Sequence, residues 1–181
     1  MKIVYIIDMQ NDFINGSLGT PEAEIAVQNA IKWLKENLSD EDMVFLTRDT
    51  HDSDYLDTPE GKQLPIKHCI KGTYGWKFWE ELYDVVRGNI QDIFNKPTFG
   101  CRDFVDCVID EIEYEDEAVE IIFMGLCTDI CVISNVLMMK EALGNIYDIP
   151  IKVLSDCCAG VTPAKHDAAL EVMRSCQIDV I

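Results

Sequence analysis

Six short runs of β-branched and other apolar residues punctuate the chain, at 2–8, 43–47, 91–95, 118–124, 151–155 and 177–181. The purest of them, Ile3-Val4-Tyr5-Ile6-Ile7, is apolar at consecutive positions rather than alternate ones. That pattern suits a strand covered on both faces. Between the runs lie segments with apolar residues three or four apart, which predict helices over 21–37, 78–86, 102–112, 130–143 and 163–175. Thr20 followed by Pro21 marks the start of the first of these, because a hydroxyl can cap free N–H groups and proline lacks one. Strand and helix thus alternate, and the expected fold is α/β: one domain over residues 1–181, a doubly wound, mainly parallel six-stranded sheet with helices on both faces. One stretch breaks the rhythm. Residues 49–75 carry no strong period and are too long to be a mere connection, so a functional loop is expected there.

Composition narrows the function classes. The chain has 181 residues, 48% hydrophobic, with a formal net charge of −18, and such a field repels phosphate backbones and anionic membranes. No nucleic-acid or membrane partner is expected. The densest acidic run, 110–120, is read as a solvated helix end and turn. Eight cysteines would suit a secreted disulfide scaffold, but the first residues read as a strand ending in Asp8 rather than as an export signal. A cytoplasmic protein with reduced thiols is the expectation.

In a doubly wound sheet, ligands bind beyond the carboxyl ends of the strands. Asp8, Asp49, Lys96 and the turn Gly125-Leu126-Cys127-Thr128-Asp129-Ile130-Cys131 all follow expected strands at that edge. Cys131 falls in the first turn of the next helix, where free N–H groups and the helix dipole favour a thiolate, so it is either a nucleophile or one more small core residue. Asp8 is a general base or a turn acid, and Lys96 stabilises a charged pair or lies at the surface. Asp49 and His51, two apart in an extended segment, point the same way, and His68 follows in the same loop. A carboxylate with two imidazoles suits a divalent transition metal; solvent-facing side chains are the alternative. Cys69, Cys101, Cys107, Cys157, Cys158 and Cys176 are read as buried small residues, and His166 as a surface or capping residue. No phosphate-binding glycine loop is present.

Six segments taken together resemble the nicotinamidase/isochorismatase-like cysteine hydrolase family. They are Asp8-Met9-Gln10-Asn11-Asp12-Phe13, Thr47-Arg48-Asp49-Thr50-His51, Lys67-His68-Cys69-Ile70-Lys71-Gly72-Thr73, Lys96-Pro97-Thr98-Phe99, the Gly125–Cys131 turn, and a tail running from Asp156 through Pro163 and His166 to Leu170. The resemblance implies an isochorismatase-like hydrolase fold and a triad of Asp8, Lys96 and Cys131 that splits a small amide through a thioester. It further implies oxyanion donors at the backbone N–H groups of Cys127 and Cys131, a cis peptide at Leu126–Cys127, and Phe13 on the ring-binding wall. A metal set of Asp49, His51, Glu60 and His68 would hold zinc, with iron or manganese as alternatives. Two departures stand out: the histidine often found shortly after the first is replaced by Asp52, Asp54 and Asp57, with Glu60 as the substitute ligand, and no large aromatic stands around Pro65-Ile66. By this resemblance the chain is a nicotinamidase acting on a small-molecule amide, and a homo-oligomer. The alternatives are a hydrolase of another small amide or carbamoyl compound, or a catalytically silent homologue that binds a small molecule or metal.

Overall fold

A computed structural model describes residues 1–114 and 119–181. Its centre is a six-stranded sheet in the order β3-β2-β1-β4-β5-β6. The strands are β1 (Lys2–Ile7), β2 (Met43–Asp49), β3 (Ile90–Lys96), β4 (Glu120–Leu126), β5 (Ile151–Ala159) and β6 (Asp179–Val180), and every neighbouring pair is parallel. The chain builds outward from β1 through β2 to β3, then returns to lay β4 on the other side of β1. That return makes the gap between β1 and β4 the topological switch point, the place where a doubly wound sheet opens to ligands.

The helices are α1 (Asn11–Ile14), α2 (Pro21–Asn37), α3 (Pro59–Gln63), α4 (Glu80–Val86), α5 (Arg102–Tyr114), α6 (Ile133–Leu143) and α7 (Pro163–Ser175). The crossover connections group α2 with α4 on one face of the sheet and α5, α6 and α7 on the other. α2 buries Ala23, Ala26, Val27, Ala30, Ile31 and Leu34, a stripe of three- and four-residue steps, and its first turn is capped by Thr20 accepting from the Ala23 N–H. On the α5 face, register brings Tyr5 beside both Phe45 and Phe123, and Phe104 of α5 stacks on Tyr5 with ring centroids 3.4 Å apart. Both faces of the central strands are therefore dry, as their continuous apolar runs require.

Some expected boundaries shift. β2 extends to Asp49 and β3 to Lys96, while β5 runs on to Ala159, so that Cys157 and Cys158 are strand residues. β6 is only two residues long, although Ile181 still exchanges hydrogen bonds with Val153 and Ser155. The expected start of the fourth strand at 118, and the middle of the acidic run at 115–118, lie outside the described residues. The irregular stretch 49–75 is not wholly irregular: it contains a 3₁₀ turn, Tyr55–Asp57, and the short helix α3, which Thr58 caps from its N-terminus. Cys107 and Cys176 are partly exposed rather than buried, and all eight cysteines are free thiols.

Candidate active site

Asp8 is the first residue past β1, fully buried, with φ +50°, a backbone region that a short acid tolerates better than most side chains. Thr47 at the end of β2 holds it twice: the threonine Oγ1 donates to Asp8 Oδ1 at 2.7 Å and accepts from the Asp8 N–H at 3.2 Å. Lys96, the last residue of β3, reaches across β2 so that its Nζ lies 2.6 Å from Asp8 Oδ2 and 3.6 Å from Cys131 Sγ. The Thr98 carbonyl accepts a further Nζ proton at 3.0 Å. Lys96 is 3% exposed, and burial would lower its pKa, but the negative charge of Asp8 outweighs that and holds it above the usual lysine range. The ammonium is the counter-charge for the acid.

Cys131 comes from the turn after β4. That turn is not the first turn of an α-helix, as the sequence suggested, but a π-helical turn over Thr128–Val132 that runs into α6, with the Val132 N–H bonding to the Cys127 carbonyl. Nor is the resting thiol favoured as thiolate. Burial pushes the Cys131 pKa well up, Asp8 adds to it, and Lys96 only partly opposes. In a site this dry, desolvation of the anion outweighs the field of a helix terminus. Cys131 thus stores its proton beside an acceptor, Asp8, whose own pKa burial raises and Lys96 lowers. The Leu126–Cys127 peptide is cis, and Gly125 before it has φ +141°, where a Cβ would stand 2.2 Å from the Ile7 carbonyl oxygen. Only glycine lets β4 pass β1 this closely.

Next to the acid–lysine–thiol group, Asp49 Oδ2, His51 Nε2 and His68 Nε2 converge, all within 4.8 Å of one another. Asp49 Oδ2 is 3.0 Å from His51 Nε2 and 3.3 Å from His68 Nε2, near the roughly 3.4 Å that separates ligand atoms around a tetrahedral ion with bonds of about 2.1 Å. The His68 Nδ1–H donates to the Ile66 carbonyl at 2.8 Å, so Nε2 is the nitrogen that faces the cluster and the one that would exchange its proton for a metal. Glu60 Oε1, on α3, stands 3.9 Å from both imidazole nitrogens, whereas Asp52, Asp54 and Asp57 are exposed. Burial would raise the Asp49 pKa, but hydrogen bonds to the two histidines hold it far below the usual carboxylate range. Charge, donor type and spacing all fit a divalent ion.

A cavity of about 370 Å³ joins the two groups, with Cys131 and Cys127 on one side and Asp49, Glu60 and His68 on the other. Phe13, Leu64 and Ile130 supply its apolar walls, and Phe99 and Val161 its exposed rim. Phe13 tilts against the His68 ring at 5.6 Å. Where a large aromatic was sought near 65–66, the wall is Leu64.

The fold recruits residues that sequence reasoning passed over. Thr47 is one. Gln10 is another: buried, its Nε2 donates to the carbonyls of Asp49 and Trp76 while its Oε1 accepts from the Asp49 N–H at 2.7 Å, which pins the metal-side strand end. Asp12 Oδ2 accepts from the Cys69 N–H, tethering the residue after His68. Tyr55, fully buried, lays its ring against both imidazoles at 4.6 and 4.9 Å. Asn135 bonds to the Cys131 carbonyl at 2.7 Å. Gln10 and Asp12 lie inside a segment already singled out, but the partners of Thr47, Tyr55 and Asn135 are 39, 13 and 4 residues away and no local pattern marks them. His166, read as surface or capping, is half-buried and has its Nδ1 2.8 Å from the Thr128 hydroxyl.

Comparison with known proteins places the chain in a family. The nicotinamidase/pyrazinamidase of Mycobacterium tuberculosis is 26% identical over 200 residues, covering 100% of this chain and 98% of the relative. The crystal structure of the nicotinamidase/pyrazinamidase of Bacillus subtilis superposes with a TM-score of 0.80 at 25% identity, covering 99% of this chain and 98% of that one. The pyrazinamidase of Pyrococcus horikoshii, solved in complex with zinc, shares the fold with a TM-score of 0.75 at 21% identity over 99% and 98% of the two chains. The family model for the isochorismatase domain matches residues 2–181, so nearly the whole chain is accounted for by one description, and the chain belongs to the isochorismatase domain family.

Proposed function

We propose that the chain is a nicotinamidase, a cysteine amidohydrolase that converts nicotinamide to nicotinic acid and ammonia. The observation that carries this reading is one cavity lined both by Cys131, whose thiol has Lys96 and Asp8 behind it, and by Asp49 and His68 of the Asp–His–His cluster. A flat ring held at the cluster end presents its carboxamide to Cys131. Curated relatives with these activities support the substrate class.

In the mechanism, Asp8 takes the Cys131 proton as Sγ attacks the amide carbon, and the carbonyl π pair moves onto oxygen. Lys96, the counter-charge, keeps Asp8 anionic until that moment and steadies the thiolate. The N–H groups of Cys127 and Cys131 receive the oxyanion. Asp8 then returns its proton to the departing nitrogen, the C–N bond breaks, and ammonia leaves a thioester. Water, deprotonated by the same Asp8, attacks the thioester; the C–S bond breaks, Cys131 recovers a proton and the acid is released. Thr47 keeps the carboxylate aimed throughout. Asp49, His51 and His68, with Glu60 as fourth ligand, would hold a divalent metal such as zinc, which when bound supplies a Lewis-acidic anchor for a pyridine nitrogen. Phe13 packs on the ring. The reading also takes the chain as cytoplasmic, supported by its eight free thiols, and as a homo-oligomer, supported by the exposed Ile25, Phe99 and Val172.

The test is ammonia release from a panel of nicotinamide, benzamide, aliphatic amides and carbamoyl amino acids, each with and without a chelator. Nicotinamide should be preferred, and chelation should remove that preference. Cys131→Ala should abolish turnover, while Cys127→Ala, which keeps its backbone N–H, should cost less than about tenfold. Equal loss in the two variants would refute the assignment of the nucleophile, and chelator-insensitive turnover of another amide would refute the substrate.

A further inference from the structure

The turn that presents Cys131 is clasped from behind by the junction between β5 and α7. Thr128, fully buried, lies between Cys127 and Cys131, the two residues expected to supply the oxyanion N–H groups, and its Oγ1 is 2.8 Å from His166 Nδ1. The next residue, Asp129, accepts the Val161 N–H on its Oδ1 at 2.8 Å. Between these two contacts sits Gly160, where a Cβ would lie 2.8 Å from Asp129 Oδ1 and 2.8 Å from the His166 nitrogen. The close approach therefore depends on a missing side chain. His166 itself is held by the first turn of α7, its N–H donating to the Thr162 carbonyl at 2.9 Å, with Thr162 capping that helix. Neither Thr128 nor His166 lines the cavity that contains Cys131.

We propose that His166 is a positioning residue: through Thr128 it fixes the π-helical turn so that the Cys127 and Cys131 N–H groups point at the oxyanion, without touching substrate. The inference rests on the amidohydrolase reading of this site. Its physical basis is that oxyanion donors help only if held in place before charge develops, and a displacement of about 1 Å can cost about a hundredfold in rate. A buried hydroxyl bonded to a ring that is anchored in a capped helix turn is such a restraint. The thiol and its acid are held separately, by Lys96 and Thr47, so loss of the clasp should injure the oxyanion step and spare the nucleophile.

The experiment separates these steps. For wild type, His166→Ala, His166→Gln, His166→Asn, Thr128→Val and the Thr128→Val/His166→Ala double variant, three quantities are measured: kcat and KM for nicotinamide, affinity for pyridine-3-carbaldehyde, and the rate of Cys131 alkylation by iodoacetamide. The aldehyde forms a C–S bond with Cys131 and an oxyanion, whereas alkylation displaces iodide and forms no oxyanion. His166→Ala and His166→Gln should lower kcat by about 10- to 100-fold with KM within about twofold, weaken the aldehyde in parallel and leave alkylation near wild type. His166→Asn, whose amide falls where Nδ1 does, should restore most of the rate. The double variant should be no worse than either single one. Unchanged kcat in His166→Ala, alkylation slowed as much as turnover, or additive losses would each overturn the proposal. Wild-type protein that releases no ammonia from nicotinamide would overturn the substrate reading instead, and the aldehyde ratio between wild type and His166→Ala would still decide the role of His166.

Discussion

At the scale of single residues, the site shows how burial redistributes protons. Asp8 and Cys131 are both raised by desolvation, and Lys96, beside both, opposes that rise in each. Glu60 is the residue on which the proposed four-ligand set turns. Its oxygen is 3.9 Å from both histidine nitrogens, farther than Asp49 is from either, so it must close in by a fraction of an ångström to complete a four-ligand set. Because α3 is short and its side chain 27% exposed, that movement is cheap. Glu60→Gln is expected to lower bound metal after dialysis and raise KM for nicotinamide by about 3- to 30-fold, with kcat changed much less. Metal analysis and steady-state kinetics check this; full metal content with an unchanged KM would assign the fourth position to something other than Glu60.

At the scale of elements, strand ends carry the chemistry and need to be pinned. The opposite edge of the sheet is pinned too, by Asp42 in the turn before β2. Its Oδ1 accepts the Lys2 N–H at 2.7 Å, its Oδ2 accepts the Ser39 N–H at 2.9 Å and pairs with the Lys2 ammonium at 3.3 Å, and so it ties the start of β1 to the end of the α2 connection. Burial would raise this carboxyl, but the N–H groups of Ser39 and Lys2 hold it below the ordinary carboxylate value. For an acid whose folded pKa is depressed, the stabilisation is complete above the unfolded value, about 4, and is lost as pH falls through the folded one. Asp42→Asn should therefore lower unfolding free energy by about 1–3 kcal/mol at pH 7, and the gap should narrow below about pH 4. Urea titrations at pH 7 and at acid pH measure it; a gap constant with pH would mean that the charge contributes nothing beyond the hydrogen bonds of a neutral amide.

At the scale of the whole molecule, the net charge of −18 surrounds a cavity whose proposed substrate is neutral and whose product is an anion. A negative field does not act on the amide but repels the acid, and salt screens that repulsion over about 10 Å at 0.1 M. Raising ionic strength from about 0.02 to 0.3 M should leave KM for nicotinamide within about twofold while tightening product inhibition by nicotinate several-fold. Inhibition constants at several salt concentrations decide this, and an inhibition that weakens with salt would show that local cations, Lys96 or Lys165 at the rim, dominate over the global field.

What the sequence determined by itself follows from short-range physics. The consecutive apolar runs and the three- and four-residue steps were enough for the βα order and for helices bounded at 21–37 and 163–175, because capping threonines and N1 prolines are local signals. The same order implied that Asp8, Asp49, Lys96 and the Cys131 turn share one edge. What only the tertiary structure decided is whatever depends on distance between remote segments. The strand order brings the end of β3 over β2 to Asp8, and so turns Lys96 from a strand-end lysine into a buried cation. The packing of α3 decides that Glu60, and not one of three neighbouring aspartates, faces the histidines. Solvent exclusion reverses the expected ease of ionising Cys131, since desolvation is a property of the assembled interior and has no counterpart in a run of residues. Tyr55 stayed unseen, and the partners of Thr47, Gln10 and His166 unread, for the same reason: each meets its partner only where folding places the two 2.7 to 4.6 Å apart.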